Sequence, residues 1–155
     1  MSLKDRITED MKAAMRAKDS ARLSTIRLLL AAIKQKEVDE RVAVDDAQVL
    51  AIVEKLIKQR RDSIEQFQRA NRQDLVEQES FELTVLAGYQ PEQASPQELA
   101  AAVEQAVAAT GASGPADMGK VMGVLKPKLA GRADMSAVSA MVKSRLSGGG
   151  AAPKA

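Results

Sequence analysis

From Leu3 onward, apolar residues return at intervals of three and four, and nowhere does a segment alternate with period two. The pattern predicts helices throughout and no sheet. Leu3, Ile7, Met11 and Met15 place one stripe on a first helix, opened by Ser2 with Asp5 in capping-box spacing. Asp19 or Ser20 caps a second, with Leu23, Ile26, Leu30 and Ile33 facing inward, and the charged, β-branched stretch Glu37 to Val44 reads as a loop. A third helix starts at Asp45 or Asp46 and carries Val49, Val53, Leu56, Ile64 and Phe67 on one face. Its other side pairs Glu54 with Lys58, Lys58 with Asp62 and Arg61 with Glu65 in a solvated pattern. A fourth, from about Asp74 to Ala87, presents Leu75, Phe81 or Leu83, and Leu86 before Gly88 and Pro91 stop it.

Ser95, Pro96 and Glu98 spell out a helix start as N-cap, N1 and N3. Leu99, Val103, Ala106 and Val107 follow, and Gly111 ends that helix. Met118, Val121, Met122 and Leu125 line the next until Pro127, and Asp134 caps a last one with Ala137, Val138, Met141, Val142 and Leu146. The organisation predicted is all-α: a helical bundle over residues 1–90, a small three-helix module over 91–147, and a flexible tail over 148–155.

Composition narrows the chemistry. The 155 residues contain no cysteine and no histidine, and the only aromatics are Phe67, Phe81 and Tyr89. Cys-His pairs, Ser-His-Asp triads and cysteine or histidine metal sites are therefore excluded by residue type. No catalytic residue, metal or cofactor is assigned. There is no apolar run long enough to span a bilayer and no secretory pattern at the start, so a soluble, cytoplasmic protein with no membrane partner is expected.

Net charge is +2, but residues 1–90 balance to zero. Lys120, Lys126, Lys128, Arg132, Lys143 and Arg145 face only Asp117 and Asp134 between 117 and 146. Such an excess either solubilises a small module or contacts phosphates. With no aromatic after Tyr89, base stacking is unavailable to this region, and a structured RNA read by shape and backbone is the nucleic acid that fits.

Gly114 to Lys120 has the spacing of a phosphate-binding loop, yet Val121 stands where Ser or Thr is required and an alanine-rich helix precedes it. A helix start, with small residues for close helix packing, explains it better. Arg27 and Arg60 fall on apolar faces and should point toward neighbouring helices, with Glu77, Glu79 and Glu82 as partners. With Arg72 and Asp74 they make a polar cluster that is either structural or partner-binding.

The run Met118-Gly119-Lys120-Val121-Met122-Gly123-Val124-Leu125-Lys126-Pro127-Lys128-Leu129-Ala130-Gly131-Arg132-Ala133-Asp134, with Val138 and Val142 to Leu146, resembles the signature of the YqeY-like proteins of the GatB/YqeY family. It is similar also to the C-terminal tail of GatB, a component of glutamyl/aspartyl-tRNA amidotransferase. Lys58 to Ile64, Arg72 to Leu75 and Tyr89-Gln90-Pro91 extend the likeness over nearly the whole chain. The resemblance implies two helical modules, a tail that contacts tRNA, and a link to carbon-nitrogen ligases using glutamine as amide donor. The residues oppose catalysis by this chain alone. The catalytic cradle of GatB, a nucleotide loop, a cysteine nucleophile and a Ser-Ser-Lys amidase arrangement are all missing from it. The expectation is an accessory, tRNA-associated protein with possible amidotransferase partners. The alternative is a protein-docking module acting through Arg27, Arg60 and the glutamate-rich fourth helix, without RNA.

Overall fold

The computed structural model describes residues 1–148, so the predicted tail lies, except for Gly148, outside the described residues. The described residues form seven α-helices and one short 3₁₀ turn, with no strand among them. They divide into two compact units, one of residues 1–90 and one from Pro91 onward.

The first unit is built from α1 (Leu3–Arg16), α2 (Ser20–Glu40), α3 (Asp46–Arg69) and α4 (Gln73–Ala87). Ser2 and Asp5 form the expected capping box, and the Leu3 amide also donates to Asp46 Oδ1 at 2.9 Å, fastening the start of α1 to that of α3. Ile7, Ile26, Leu29, Ile33, Val49, Val53 and Ile57 form the centre of the core, and α3 with α4 makes its most extensive helix contact.

Three sequence expectations shift here. In α1 the buried residue of the last turn is Ala14, and Met15 is 48% exposed. On α2 the expected Ile26 and Ile33 are buried and Leu23 and Leu30 pack partly buried against the core, while Thr25 and Leu29 join the buried face, because the helix is apolar nearly all round between Leu28 and Ile33. The predicted loop over Glu37–Val44 is shorter: α2 continues to Glu40. Gln35 donates to Asp39 at 2.8 Å, Lys36 pairs with Glu40 at 3.1 Å, and Glu37 takes Lys4 at 2.7 Å, all of which hold the helical turns. That last contact keeps the Glu37 carboxyl below its ordinary pKa.

The second unit contains α5 (Pro96–Thr110), a 3₁₀ turn (Pro115–Asp117), α6 (Met118–Leu129) and α7 (Met135–Leu146). Ser95 and Glu98 form a capping box with Pro96 at N1, and Gly111 takes the left-handed conformation at φ 67° that ends α5. Helix α6 runs through Pro127 instead of stopping there. The proline sits in the last turn, where its missing N–H removes a bond from the helix end and its ring points to solvent. Val103, Ala106, Val121, Leu125, Val138 and Val142 close an aliphatic core with no aromatic in it. No helix among the described residues is long and apolar enough to cross a membrane.

Candidate nucleic-acid interface

The six cations singled out in the second unit have three different environments. Arg132 is a clamp: its Nε donates to the Glu92 carbonyl at 3.0 Å and its Nη2 to Glu98 Oε2 at 3.3 Å. Its own carbonyl accepts from the Ala94 amide at 2.8 Å, and Gln93 Nε2 donates to the Gly131 carbonyl at 2.8 Å. Residues 91–95 are thereby laced to the turn between α6 and α7. Arg145 binds Glu104 of α5 through its Nε at 2.6 Å. Lys120 reaches Asp117 only at 3.8 Å, and the Asp117 carboxyl, held low chiefly by the Ser113 amide, already serves the turn before α6.

Lys126, Lys128 and Lys143 are exposed and make no ion pair or hydrogen bond with the described residues. They do not form one cluster. Lys126 and Lys128 are two residues apart on α6, about 200° around the helix, and so occupy opposite flanks. Gly119, Gly123 and Lys126 share one flank at helical spacing. The neighbouring buried face of α6 meets α7, where Met122 Sδ lies 3.9 Å from Ser139 Oγ. Lys143 follows Ser139 by one turn on α7, which runs back along α6 after a short connection. Lys126 and Lys143 thus each lie one turn beyond the Met122–Ser139 contact, flanking the seam where α6 and α7 meet.

In the sequence Gly119, within the Gly114–Lys120 run, reads as a small residue for close helix packing, and Gly123 carries no reading of its own. In the structure a Cβ added to Gly119 or Gly123 would meet nothing within 4 Å, so no helix of the unit packs there. The signal in the sequence is their i,i+4 placement in a helix interior, where glycine is unfavourable.

In the first unit Arg60 is brought between two carboxylates of α4. Its Nε lies 2.7 Å from Glu82 Oε2 and 3.3 Å from Glu79 Oε2, and these side chains are 16%, 14% and 18% exposed. The ion pairs are close, but the Arg60 Nε and Glu79 Oε2 make no aligned hydrogen bond. Burial raises the Glu79 pKa against the opposing pull of Arg60, and Glu82 adds repulsion. Glu77 stays exposed. Arg27 also differs from expectation: it is exposed and has no ion-pair partner among the described residues, because the buried face of α2 is centred away from it. Arg72 and Asp74 form a separate exposed bidentate pair, at 3.1 and 3.0 Å, at the entry to α4.

Fold and site together define an all-helical protein of two units whose second unit presents unneutralised lysines beside an open glycine flank. A model of the Yqey-like protein family matches residues 4–146, and the chain belongs to that family. Family membership supports an accessory role. Among curated relatives, "Altered inheritance of mitochondria protein 41, mitochondrial" of Kluyveromyces lactis is 44% identical over 85 residues, 54% of this chain and 46% of that protein. Its namesake in Lachancea thermotolerans is 45% identical over 84 residues, 54% and 45% of the two chains. That of Vanderwaltozyma polyspora is 40% identical over 102 residues, 64% and 55%. The chain spans about half the length of the curated relatives it matches. Their names overturn the expected cytoplasmic location. That expectation rested on the lack of a membrane span and a secretory pattern, and neither distinguishes cytoplasm from the aqueous interior of an organelle.

Proposed function

We propose that this chain is an accessory RNA-binding protein whose second unit grips the backbone of a structured RNA, tRNA first among them, in a tRNA-amidotransferase setting. The observation that carries the reading is the α6–α7 seam. Lys126 and Lys143 make no ion pair with the described residues, and on the flank of Gly119 and Gly123, where even an added Cβ would meet nothing within 4 Å, a phosphate backbone can come close to the helix. Each exposed glycine costs about 0.5–1 kcal/mol relative to alanine, a cost that close approach by a ligand would offset. Lys120 adds charge beside this flank, and Lys128 adds it on the opposite flank of α6. Arg132 and Arg145 support the unit and contribute to RNA binding indirectly. Transamidation itself belongs to other proteins of such an assembly. This chain supplies neither a cysteine for glutaminase chemistry nor a recognisable nucleotide loop.

The test is binding of folded tRNA, and of an unstructured RNA of equal length, at increasing salt. The wild type should prefer tRNA, with a log–log salt slope near three or four contacts at roughly 0.7–0.9 each. A Lys126→Ala/Lys128→Ala/Lys143→Ala variant should lose most of that slope. Equal, weak binding of both RNAs by both proteins would refute the proposal.

A further inference from the structure

Helix α2 buries one apolar face in the bundle and leaves further apolar side chains uncovered on the other side. Ile26, Leu29 and Ile33 enter the core, while Ser24, Leu28, Ala31, Gln35 and Val38 line up on the opposite side, all exposed. Their spacing is that of a coiled-coil seam, with Leu28 and Gln35 at a and Ser24, Ala31 and Val38 at d. Leu28 and Val38 are 51% and 59% exposed, and Val42, just beyond the helix, adds a further apolar side chain at 46%. Single exposed apolar residues need no explanation, but several in register on one helix do.

The edge of this seam is uniformly basic. Arg27 and Lys34 occupy successive g positions, and Arg41 follows at the helix cap seven residues on. All three are exposed and none is in an ion pair or hydrogen bond with the described residues. Lys34 feels Glu37, but that carboxylate is already bound to Lys4. On the other edge, at e, Ala32 opens into a groove of about 560 Å³ lined by Ile52 and Leu56 of α3, and the next e residue, Asp39, is an exposed carboxylate that accepts from Gln35.

We infer that α2 docks an acidic amphipathic helix of a partner protein, with apolar residues on the Leu28/Ala31/Val38 seam and carboxylates along the Arg27/Lys34/Arg41 edge. A second copy of this chain answers the charges poorly. Antiparallel self-pairing sets g against g, cation against cation. Parallel pairing sets g against e, giving Lys34 an Asp39 but Arg27 only Ala32. An acidic helix satisfies every basic position at once. The inference is independent of RNA binding, which uses the other unit.

The test uses the full chain and two dye-labelled synthetic helical peptides of about three heptads. Both carry leucine at a and d; one has glutamate at e and g, the other lysine. The glutamate peptide should bind and the lysine peptide should not. A Leu28→Gln/Val38→Gln variant, with native circular dichroism, should bind the glutamate peptide at least about tenfold more weakly. An Arg27→Glu/Lys34→Glu variant should reverse the preference, a gain that a misfolded protein could not show. Equal binding of the two peptides, or an unchanged preference in the charge-reversed variant, would overturn the inference. So would a wild-type dimer in sedimentation that Leu28→Gln/Val38→Gln converts to monomer, since the seam would then serve a second copy.

Discussion

Tyr89 donates its phenolic hydrogen to Asp10 Oδ2 at 2.6 Å, joining the second residue after α4 to the middle of α1. Tyr89 is buried, and the Arg6 guanidinium lies 5.1 Å from its ring centroid while also bonding the Gly88 carbonyl. The end of the first unit is thereby pinned to its beginning. Tyr89→Phe should destabilise that unit by about 1–3 kcal/mol, because Asp10 loses a partner while the ring stays in place. Denaturant unfolding followed by far-ultraviolet circular dichroism measures the loss.

The same bond makes the first unit sensitive to alkali. Burial and the bond to Asp10 push the phenol above its ordinary pKa of 10.0. The folded state therefore holds the proton more tightly, and the stability it gains is full below pH 10 and declines as pH rises through the folded value. Absorbance titration near 295 nm should show ionisation displaced upward, moving to the ordinary range in denaturant.

At Arg60 the effects of removing cation and anion are opposite. Arg60→Ala leaves Glu79 and Glu82 together without a countercharge and should cost about 3–5 kcal/mol. Glu79→Gln leaves Arg60 with Glu82 and should be close to neutral or stabilising. The raised Glu79 pKa means that its contribution is fully present below 4.5, the unfolded value, and fades as pH rises through the folded one. Measured as the difference between wild-type and Glu79→Gln denaturant midpoints, which cancels carboxylates of opposite shift such as Glu37, the wild type should lose ground to the variant as pH rises above 4.5.

Gly119→Ala and Gly123→Ala should each stabilise the second unit by about 0.5–1 kcal/mol, since the added methyl meets open space and favours the helix. RNA affinity should fall in the same variants. Thermal unfolding and tRNA binding on one pair of proteins check both effects, and a rise in affinity would contradict the close approach proposed for the seam.

The cations of the second unit should separate into two groups by stability alone. Lys126→Ala, Lys128→Ala and Lys143→Ala remove no described contact and should leave unfolding within about 0.5 kcal/mol of wild type. Arg132→Ala removes the bonds to Glu92 and Glu98 and should cost about 1–2 kcal/mol. Urea midpoints distinguish the groups.

Helix existence was legible wherever a cap preceded an amphipathic run. Ser2 with Asp5, and Ser95 with Pro96 and Glu98, satisfy amides locally and so announce themselves. Facing was not legible in α2, whose apolar residues surround the axis and leave the choice to tertiary packing. At the candidate site, sequence named the cations but could not sort them. Glu98 lies 34 residues from Arg132 and Glu104 lies 41 from Arg145, separations across which no local pattern reports a contact. Arg60 and its glutamates were expected from the apolar face on which the arginine falls, whereas Arg27, placed by the same rule, is exposed because Thr25 and Leu29 shift the centre of the buried face of α2 away from it.

The lacing by Arg132 also decides where the second unit can be cut free. Pro91 to Ala94 carries no helix, and a fragment designed by helical content would begin at Ser95. Such a fragment would lose the Glu92 carbonyl, the Gln93 side chain and the Ala94 amide, three of the groups that hold the α6–α7 turn. An excised module intended to fold and function alone should therefore start no later than Pro91, with the apparent linker retained as its first stitch.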